Sequence, residues 1–303
     1  MLVAVAMPFV ETAAMRVHYE TAGSGRHVAV LLHGNFATAR WWQPTLERAP
    51  RGFTLVAPTL RGYGESRGAT RARSVHEHAE DIRELARVLG LRRFHLVGHS
   101  LGGAVALQYA LSWPETLSGL GLVSPAPGDA LEAMRSRGDL IAWTDPELPG
   151  MRVALALGMQ WSRLLGTYRP AIARALARMM PAADPRAIDF DALLADATAV
   201  DDRTLLDVYE ALRRWDVRAR LPQLTVPVRI LAGRRDAIIP LPSLEWLARA
   251  LPRARLDVWD DVGHSPQLER PAEFTGWLAL ARPTWRGRLR SAWARLIARL
   301  RRS

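Results

Sequence analysis

A chain of 303 residues, 49% apolar and 23% charged, is long enough for one well-packed domain with a sizeable insertion and has the balance of a globular protein. It contains no cysteine, which excludes disulfides, thiolate nucleophiles and Cys-ligated metal. The formal charge of +11 is carried by Arg alone, and residues 285–303 hold seven Arg without one acid, so the body is only mildly basic and no nucleic-acid partner is expected.

Residues 1–10 are apolar but lack a charged leader, are interrupted by Pro8 and meet Glu11 at once. That is not the pattern of a secretory signal, and no run approaches the roughly 20 apolar residues of a membrane span. A cytoplasmic protein is expected. Residues 2–7 and 15–19 alternate as two antiparallel strands, and Ala22-Gly23-Ser24-Gly25 reads as a turn. Residues 28–32 form a continuous apolar run, the pattern of a strand buried on both faces, ending in His33-Gly34-Asn35-Phe36. Helical pattern follows to residue 48, then a strand at 53–57 and the glycine-rich loop Arg61-Gly62-Tyr63-Gly64. Residues 76–89 place Ile82, Leu85, Ala86 and Leu89 on one helical face, with Gly90 as the stop.

A strand at 94–97 runs into Gly98-His99-Ser100-Leu101-Gly102, and a helix is expected from 103 to about 112. A further buried strand covers 120–123. This alternation implies an α/β fold with a mostly parallel sheet and helices on both faces. From 128 to 221 only helical pattern is found, broken at Pro146, Pro149, Pro170, Pro181 and Pro185. Alternation then resumes with a strand at 228–232, a helix at 244–250, a strand at 255–259 and a helix at 271–281. A helical block between two strands of one sheet is expected to cap its C-terminal edge, where ligands bind in open parallel sheets. The organisation expected is therefore a core of residues 1–127 and 222–283, a helical cap of 128–221 and a basic amphipathic helix at 284–303.

The chemistry centres on Ser100. A serine between a strand and a helix, with glycine two residues before and two after, fits a sharp turn that presents its hydroxyl beside the helix N-terminus. A serine hydroxyl needs a base to remove its proton and a carboxylate to hold that base. Asp236 follows the strand at 228–232, and His264 follows the strand at 255–259. Asp260 and Asp261 lie nearer to His264 in sequence, and Asp129 is a further substitute for the acid. Ser100 read alone also suits an ordinary helix cap. His33 and His99 are expected to satisfy backbone groups at the sheet edge. The remaining histidines have no evident partner, and no H-E-x-x-H pattern exists, so neither metal nor cofactor is expected.

Leu32-His33-Gly34, Arg61-Gly62-Tyr63-Gly64-Glu65-Ser66, Gly98-His99-Ser100-Leu101-Gly102-Gly103, Val226-Pro227 with Gly233 and Asp236, and Gly263-His264 with Glu269-Arg270-Pro271 stand in one order along the chain. In these pieces the sequence resembles the α/β-hydrolase superfamily, and more closely its cap-bearing serine members. The resemblance implies Ser100 as nucleophile, Asp236 as orienting acid, His264 as general base, and an oxyanion hole from the backbone N–H groups of Asn35 and Leu101. The loop before Arg61 departs from the family in reading Pro58-Thr59-Leu60, where an Asp is common. Members of this fold that cleave carbon–halogen bonds or epoxides carry an aspartate at the elbow, so Ser100 points instead to acyl chemistry.

The expected function is hydrolysis of a carboxylic ester of a small apolar substrate through an acyl-enzyme. The same machinery also serves carbon–carbon bond hydrolysis, lactone opening, acyl transfer and cofactor-free perhydrolysis, and a non-catalytic ligand-binding protein is the remaining alternative. Phe36, Trp143, Met159 and Trp161 are the expected pocket residues, with packing of the cap as the other reading of its Trp and Met side chains. In the tail, Trp285, Leu289, Trp293, Leu296, Ile297 and Leu300 share one helical stripe opposite most of the Arg residues. That pattern suits self-association, docking on the domain, or peripheral contact with a membrane.

Overall fold

The computed structural model describes residues 9–68, 70–128 and 151–280. The expected strand at 2–7 and the amphipathic helix at 284–303 lie outside the described residues, as do Asp129 and Trp143.

Uninterrupted apolar runs become strands because only a strand covered on both faces hides every side chain of such a run. β3 (His27–Leu32) has every residue but the first buried, and β4 (Phe53–Pro58) and β6 (Phe94–His99) are buried throughout. The other strands are β1 (Phe9–Glu11), β2 (Met15–Gly23), β5 (Arg67–Gly68), β7 (Leu117–Val123), β8 (Val228–Gly233) and β9 (Ala254–Trp259). Among the described residues they make one sheet in the order β1-β2-β4-β3-β6-β7-β8-β9, with β5 pairing on β2. From β4 to β9 in that order the neighbours are parallel, while β2 is antiparallel to β4, β1 and β5.

Side chains alternate between two cores, as the period of a strand requires. Val28, Val30 and Leu32 face a layer completed by α2 (Val75–Val88) and α3 (Leu101–Ser112). Ala29 and Leu31 face the opposite layer, with Trp42, Phe274, Trp277 and Leu278. Helix α2 starts where Ser74 accepts the N–H of Glu77, and Gly90 follows it in a left-handed conformation at φ 68°. β9 closes the sheet as a half-buried edge, and its Asp257 takes Arg229, Arg255 and the Trp277 indole N–H at 2.5, 3.0 and 2.8 Å.

The helical pattern after β3 resolves into a 3₁₀ turn (Ala39–Trp42) and the short α1 (Gln43–Glu47). Between β7 and β8 the described chain forms α4 (Met151–Leu164), α5 (Tyr168–Met179), α6 (Phe190–Ala199) and α7 (Asp202–Arg214). Pro170, expected to break this block, sits instead in the first turn of α5, where an amide N–H has no intrahelical partner to lose. Leu176, Met180, Leu193, Leu194 and Ala197 of the insertion pack on Ala37, Trp41 and Leu268, which seats the helices over the loops at the C-terminal ends of the strands. After β8 come α8 (Leu241–Ala250), α9 (Pro266–Glu269) and α10 (Pro271–Ala279). Among the described residues no helix is long and apolar enough to cross a membrane.

The junction of β6 and α3 tolerates no side chain at Gly98 or Gly102. A Cβ on Gly98 would overlap the carbonyl of Gly102, and one on Gly102 would lie 2.5 Å from the carbonyl oxygens of Leu32 and His33. Gly276 in α10, by contrast, has open space around a Cβ. Gly98→Ala is expected to cost about 3 kcal/mol or more, and Gly276→Ala to gain about 0.5–1 kcal/mol, both read by urea denaturation.

Of the six buried histidines, His33, His78, His95 and His99 have their basicity lowered most strongly by burial. Burial lowers the basicity of each, to about 4 for His33 and His95 and about 3 for His78 and His99. The unfolded chain binds these protons at an ordinary pKa of 6.5, so their stabilisation is complete above that pH and is lost as pH falls toward 4. Each is expected to contribute up to about 1.4 kcal/mol of lost stability per pH unit in that window. His78 makes no hydrogen bond through either ring nitrogen, so His78→Leu is expected to flatten the acid limb of a Tm-against-pH curve.

Candidate active site

Ser100 occupies the corner between β6 and α3 at φ 53° and ψ −115°. A non-glycine residue reaches that region only under constraint, and here both flanking elements supply it. The Ser100 N–H donates to the carbonyl of Val123, and its own carbonyl accepts from Gly103, Ala104 and Ala126. Its hydroxyl makes no capping bond to α3, which removes the ordinary-cap reading. The helix N-terminus begins at the next residue, so the Leu101 N–H heads a set of amides without intrahelical acceptors.

Gly34 passes close to this corner: a Cβ there would lie 2.9 Å from His99 Nδ1 and 3.1 Å from the Ser100 Cβ. The next residues, Asn35 and Phe36, are half-buried, and Phe36 takes a left-handed φ of 58°. The Phe36 N–H donates to Asn35 Oδ1 at 2.9 Å, and the Tyr63 hydroxyl donates to the same oxygen at 2.7 Å. The Asn35 side chain is thereby tied to the Arg61–Gly64 loop, which Arg61 anchors through a buried ion pair with Asp81.

Asp236 and His264 meet. His264 Nδ1 lies 2.8 Å from Asp236 Oδ2, and both residues are buried. The second carboxylate oxygen accepts the N–H groups of Ile238 and Ile239 at 2.7 and 2.9 Å. Burial pushes the Asp236 carboxyl upward, but the His264 charge and these hydrogen bonds outweigh it and hold the group below the ordinary carboxylate range. An ionised acceptor on Nδ1 requires the proton on that nitrogen and leaves Nε2 as the basic one. The alternative acids are committed elsewhere, Asp260 to Arg234 and Asp261 to Arg270.

His99 links this pair to the serine. Its Nε2 lies 2.9 Å from the His264 carbonyl, which only accepts, so Nε2 carries the proton. The two rings stand 4.8 Å apart, and Ser100 is the next residue in the chain. His33 also serves the backbone, accepting the Leu60 N–H at Nε2 and donating from Nδ1 to the Gly34 carbonyl. His33 thus has both nitrogens bonded, whereas His99 Nδ1 is buried without a hydrogen bond. His264 itself is held at its backbone by the Met179 carbonyl, 2.7 Å from its N–H.

Glu269 is the residue that sequence reasoning missed. Its buried carboxylate accepts the N–H groups of Gly263 (2.9 Å), Ser265 (3.1 Å) and Ala182 (3.0 Å), clasping the loop on both sides of His264. Burial raises its pKa, and the backbone donors counter part of that rise. The sequence signal was its place in Glu269-Arg270-Pro271, but only the fold brings the donors together.

Of the expected pocket residues, Phe36 is half-buried between the sheet-edge core and the insertion. Met159 packs on the main core from α4. Trp161 is 59% exposed and points away from the sheet edge, because on α4 it sits on the face opposite Arg163 and Met159. Trp143 lies outside the described residues. A separate cleft of about 830 Å³ opens between β2 and α6, lined by Glu20, Thr38, Arg40 and Asp196 among others, and not by Ser100, Asp236 or His264. Among the described residues no group of His, Asp and Glu is arranged to hold a metal ion.

A mostly parallel sheet with a strained serine at the end of a central strand, and a buried Asp–His pair past two later strands, defines a hydrolase scaffold. The sequence model of the alpha/beta hydrolase family matches residues 29–277, and the chain belongs to that family. It is a hydrolase enzyme. It is 30% identical over 264 residues to a pimeloyl-[acyl-carrier protein] methyl ester esterase of Nitrosomonas europaea, covering 85% of this chain and 96% of that protein. A thermophilic esterase from Thermogutta terrifontis superposes with a TM-score of 0.72 at 24% identity, over 90% of this chain and 99% of that one. The enol-lactonase from Burkholderia xenovorans LB400 superposes at 0.73 with 20% identity, over 90% and 99% of the two chains. These two likenesses establish the fold.

Glu269→Gln places an amide NH₂ against backbone donors whichever way it turns, since both oxygens accept. It is expected to cost about 2 kcal/mol or more, against about 0.5 kcal/mol for Glu273→Gln on the exposed first turn of α10. Urea denaturation of the two variants checks the difference.

Proposed function

We propose that the protein is a serine hydrolase that cleaves a carboxylic ester of a small apolar substrate, with Ser100 as nucleophile, His264 as general base and Asp236 as the acid that orients it. The observation that carries this reading is the buried 2.8 Å contact between His264 Nδ1 and Asp236 Oδ2, against His99, which directly precedes a serine held at φ 53°. The relationship to a methyl ester esterase supports an ester rather than another acyl compound. The helical insertion acts as the cap of the site, and residues 128–221 are its extent.

In the first half-reaction Ser100 Oγ bonds to the ester carbonyl carbon as its proton passes to His264 Nε2. The carbonyl oxygen takes the negative charge and is stabilised by the N–H groups of Asn35 and Leu101, the second reinforced by the α3 dipole. Collapse breaks the bond to the alkoxy group, which leaves as the alcohol with the proton from His264. Water then attacks the acyl-enzyme by the reverse proton path, releasing the acid and restoring the Ser100 hydroxyl. Asp236 stays ionised throughout and keeps His264 in the tautomer that presents Nε2. Phe36 and Met159 are assigned to the acyl side of the site.

The test is a series of p-nitrophenyl esters of graded chain length, assayed beside lactones and a diketone. kcat/KM is expected to rise with chain length, by up to about fourfold per methylene buried, and to exceed that on the other two classes. Ser100→Ala and Asp236→Asn are each expected to lose roughly 10⁴-fold in kcat, with labelling by a fluorophosphonate abolished in the first. Near-normal turnover by Ser100→Ala would refute the assignment, and a chain inert to the fluorophosphonate would favour a binding protein.

A further inference from the structure

Helix α4 presents an apolar stripe to solvent. Leu157, Trp161, Leu164 and Leu165 are 49%, 59%, 75% and 69% exposed, and their spacing puts them on one face at the outer end of the insertion. The opposite face is occupied. Met159 packs on the core, and Arg163 bonds to Asp202 and to the carbonyls of Thr198 and Val200, which locks the helix onto the α6–α7 corner with the stripe outward. Large apolar side chains grouped in this way are rare on a solvated surface and mark an interaction site.

The charge of the same hairpin selects the partner. Residues 151–183 contain five Arg and no Asp or Glu. Arg174 and Arg178 on α5 are exposed, and Arg169 reaches only a solvated Asp191 at 3.8 Å. A second copy of the chain in a two-fold contact would set the Arg residues of one hairpin against those of the other. The C-terminal segment is equally unsuited, since residues 285–303 bring seven further Arg and no acid. A Trp beside three Leu, on a hairpin whose only charged residues are Arg, matches the interfacial region of a bilayer with anionic headgroups.

We propose that the outer face of the α4–α5 hairpin docks the protein on an anionic lipid surface, with Leu157, Trp161, Leu164 and Leu165 entering the headgroup–acyl boundary and Arg174 and Arg178 facing the headgroups. The inference does not depend on the esterase reading, because binding is measured without turnover.

The absence of cysteine allows one reporter at a time. The full chain carrying Leu165→Cys, labelled with a polarity-sensitive fluorophore, is mixed with vesicles of phosphatidylcholine alone or with one third phosphatidylglycerol. A second form is labelled at Glu115→Cys, exposed in the turn before β7 at the far end of the sheet. The label at 165 is expected to brighten several-fold and shift to the blue only with phosphatidylglycerol, while the label at 115 does not respond. Arg174→Gln with Arg178→Gln is expected to weaken vesicle partitioning by about fivefold per residue, and Leu164→Ser with Leu165→Ser to abolish the label-independent pelleting of the chain. Pelleting without a response at 165 would overturn the proposal and assign lipid contact to the tail. A response at 165 that rises with protein concentration in the absence of vesicles, or that is lost on deleting 285–303, would overturn it in favour of a second copy or of the tail.

Discussion

Backbone crowding at the end of β6 governs the rest of the molecule. The carbonyl of Gly102 fills the volume a side chain at Gly98 would need, and the carbonyls of Leu32 and His33 do the same for Gly102. Strand, turn and helix are thus pressed together with no side chain between them, and Ser100 is forced into a left-handed backbone at the tip. The same compression fixes β3 beside β6, which carries Gly34 and Asn35 up to the serine. Strain at one residue is affordable because the surrounding sheet, buried on both faces, determines that conformation many times over.

Around this corner both buried carboxylates are hydrogen-bonded through each oxygen, while His99 Nδ1, Ser124 Oγ and Ser265 Oγ are buried without a hydrogen bond. Asp236 uses one oxygen for His264 and the other for two amides, so neither oxygen of the buried carboxylate is left unpaired. Glu269 does the same for the loop that carries His264. His33 is held through both nitrogens by a backbone carbonyl and an amide and His99 through Nε2 by a carbonyl, which leaves His264 as the one of the three paired with a carboxylate. Three imidazoles within one small volume would otherwise compete for the same proton. Burial lowers the basicity of His33 and His99 and keeps both rings neutral.

Much of this was legible in the sequence because its signals are local. The runs at 28–32, 53–57 and 228–232 could hide their side chains only as doubly covered strands, and each is one, within a residue at either end. Ser74 and Gly90 bracket α2 by capping chemistry that needs no tertiary partner. What depended on distant contacts was not legible. β2 runs on to Gly23, through an expected turn, because β4 pairs with it antiparallel; β5 exists only as a partner for β2. The apolar periodicity of α4 was visible, but periodicity does not say which face turns inward. Trp161, read as a pocket residue, faces solvent because Met159 and Arg163 take the inner side. Glu269 escaped for the same reason, since its three donors come from two segments far apart in the chain.

The carbonyl of Met179, at the end of α5, holds the amide of His264. That bond runs between a helix of the insertion and the loop beyond β9, so the His264 backbone and α5 are mechanically coupled. Moving α5 away from that loop withdraws an acceptor from the histidine's own backbone, and its return restores the grip. The scaffold therefore links the position of one inserted helix to how firmly the segment carrying His264 is seated.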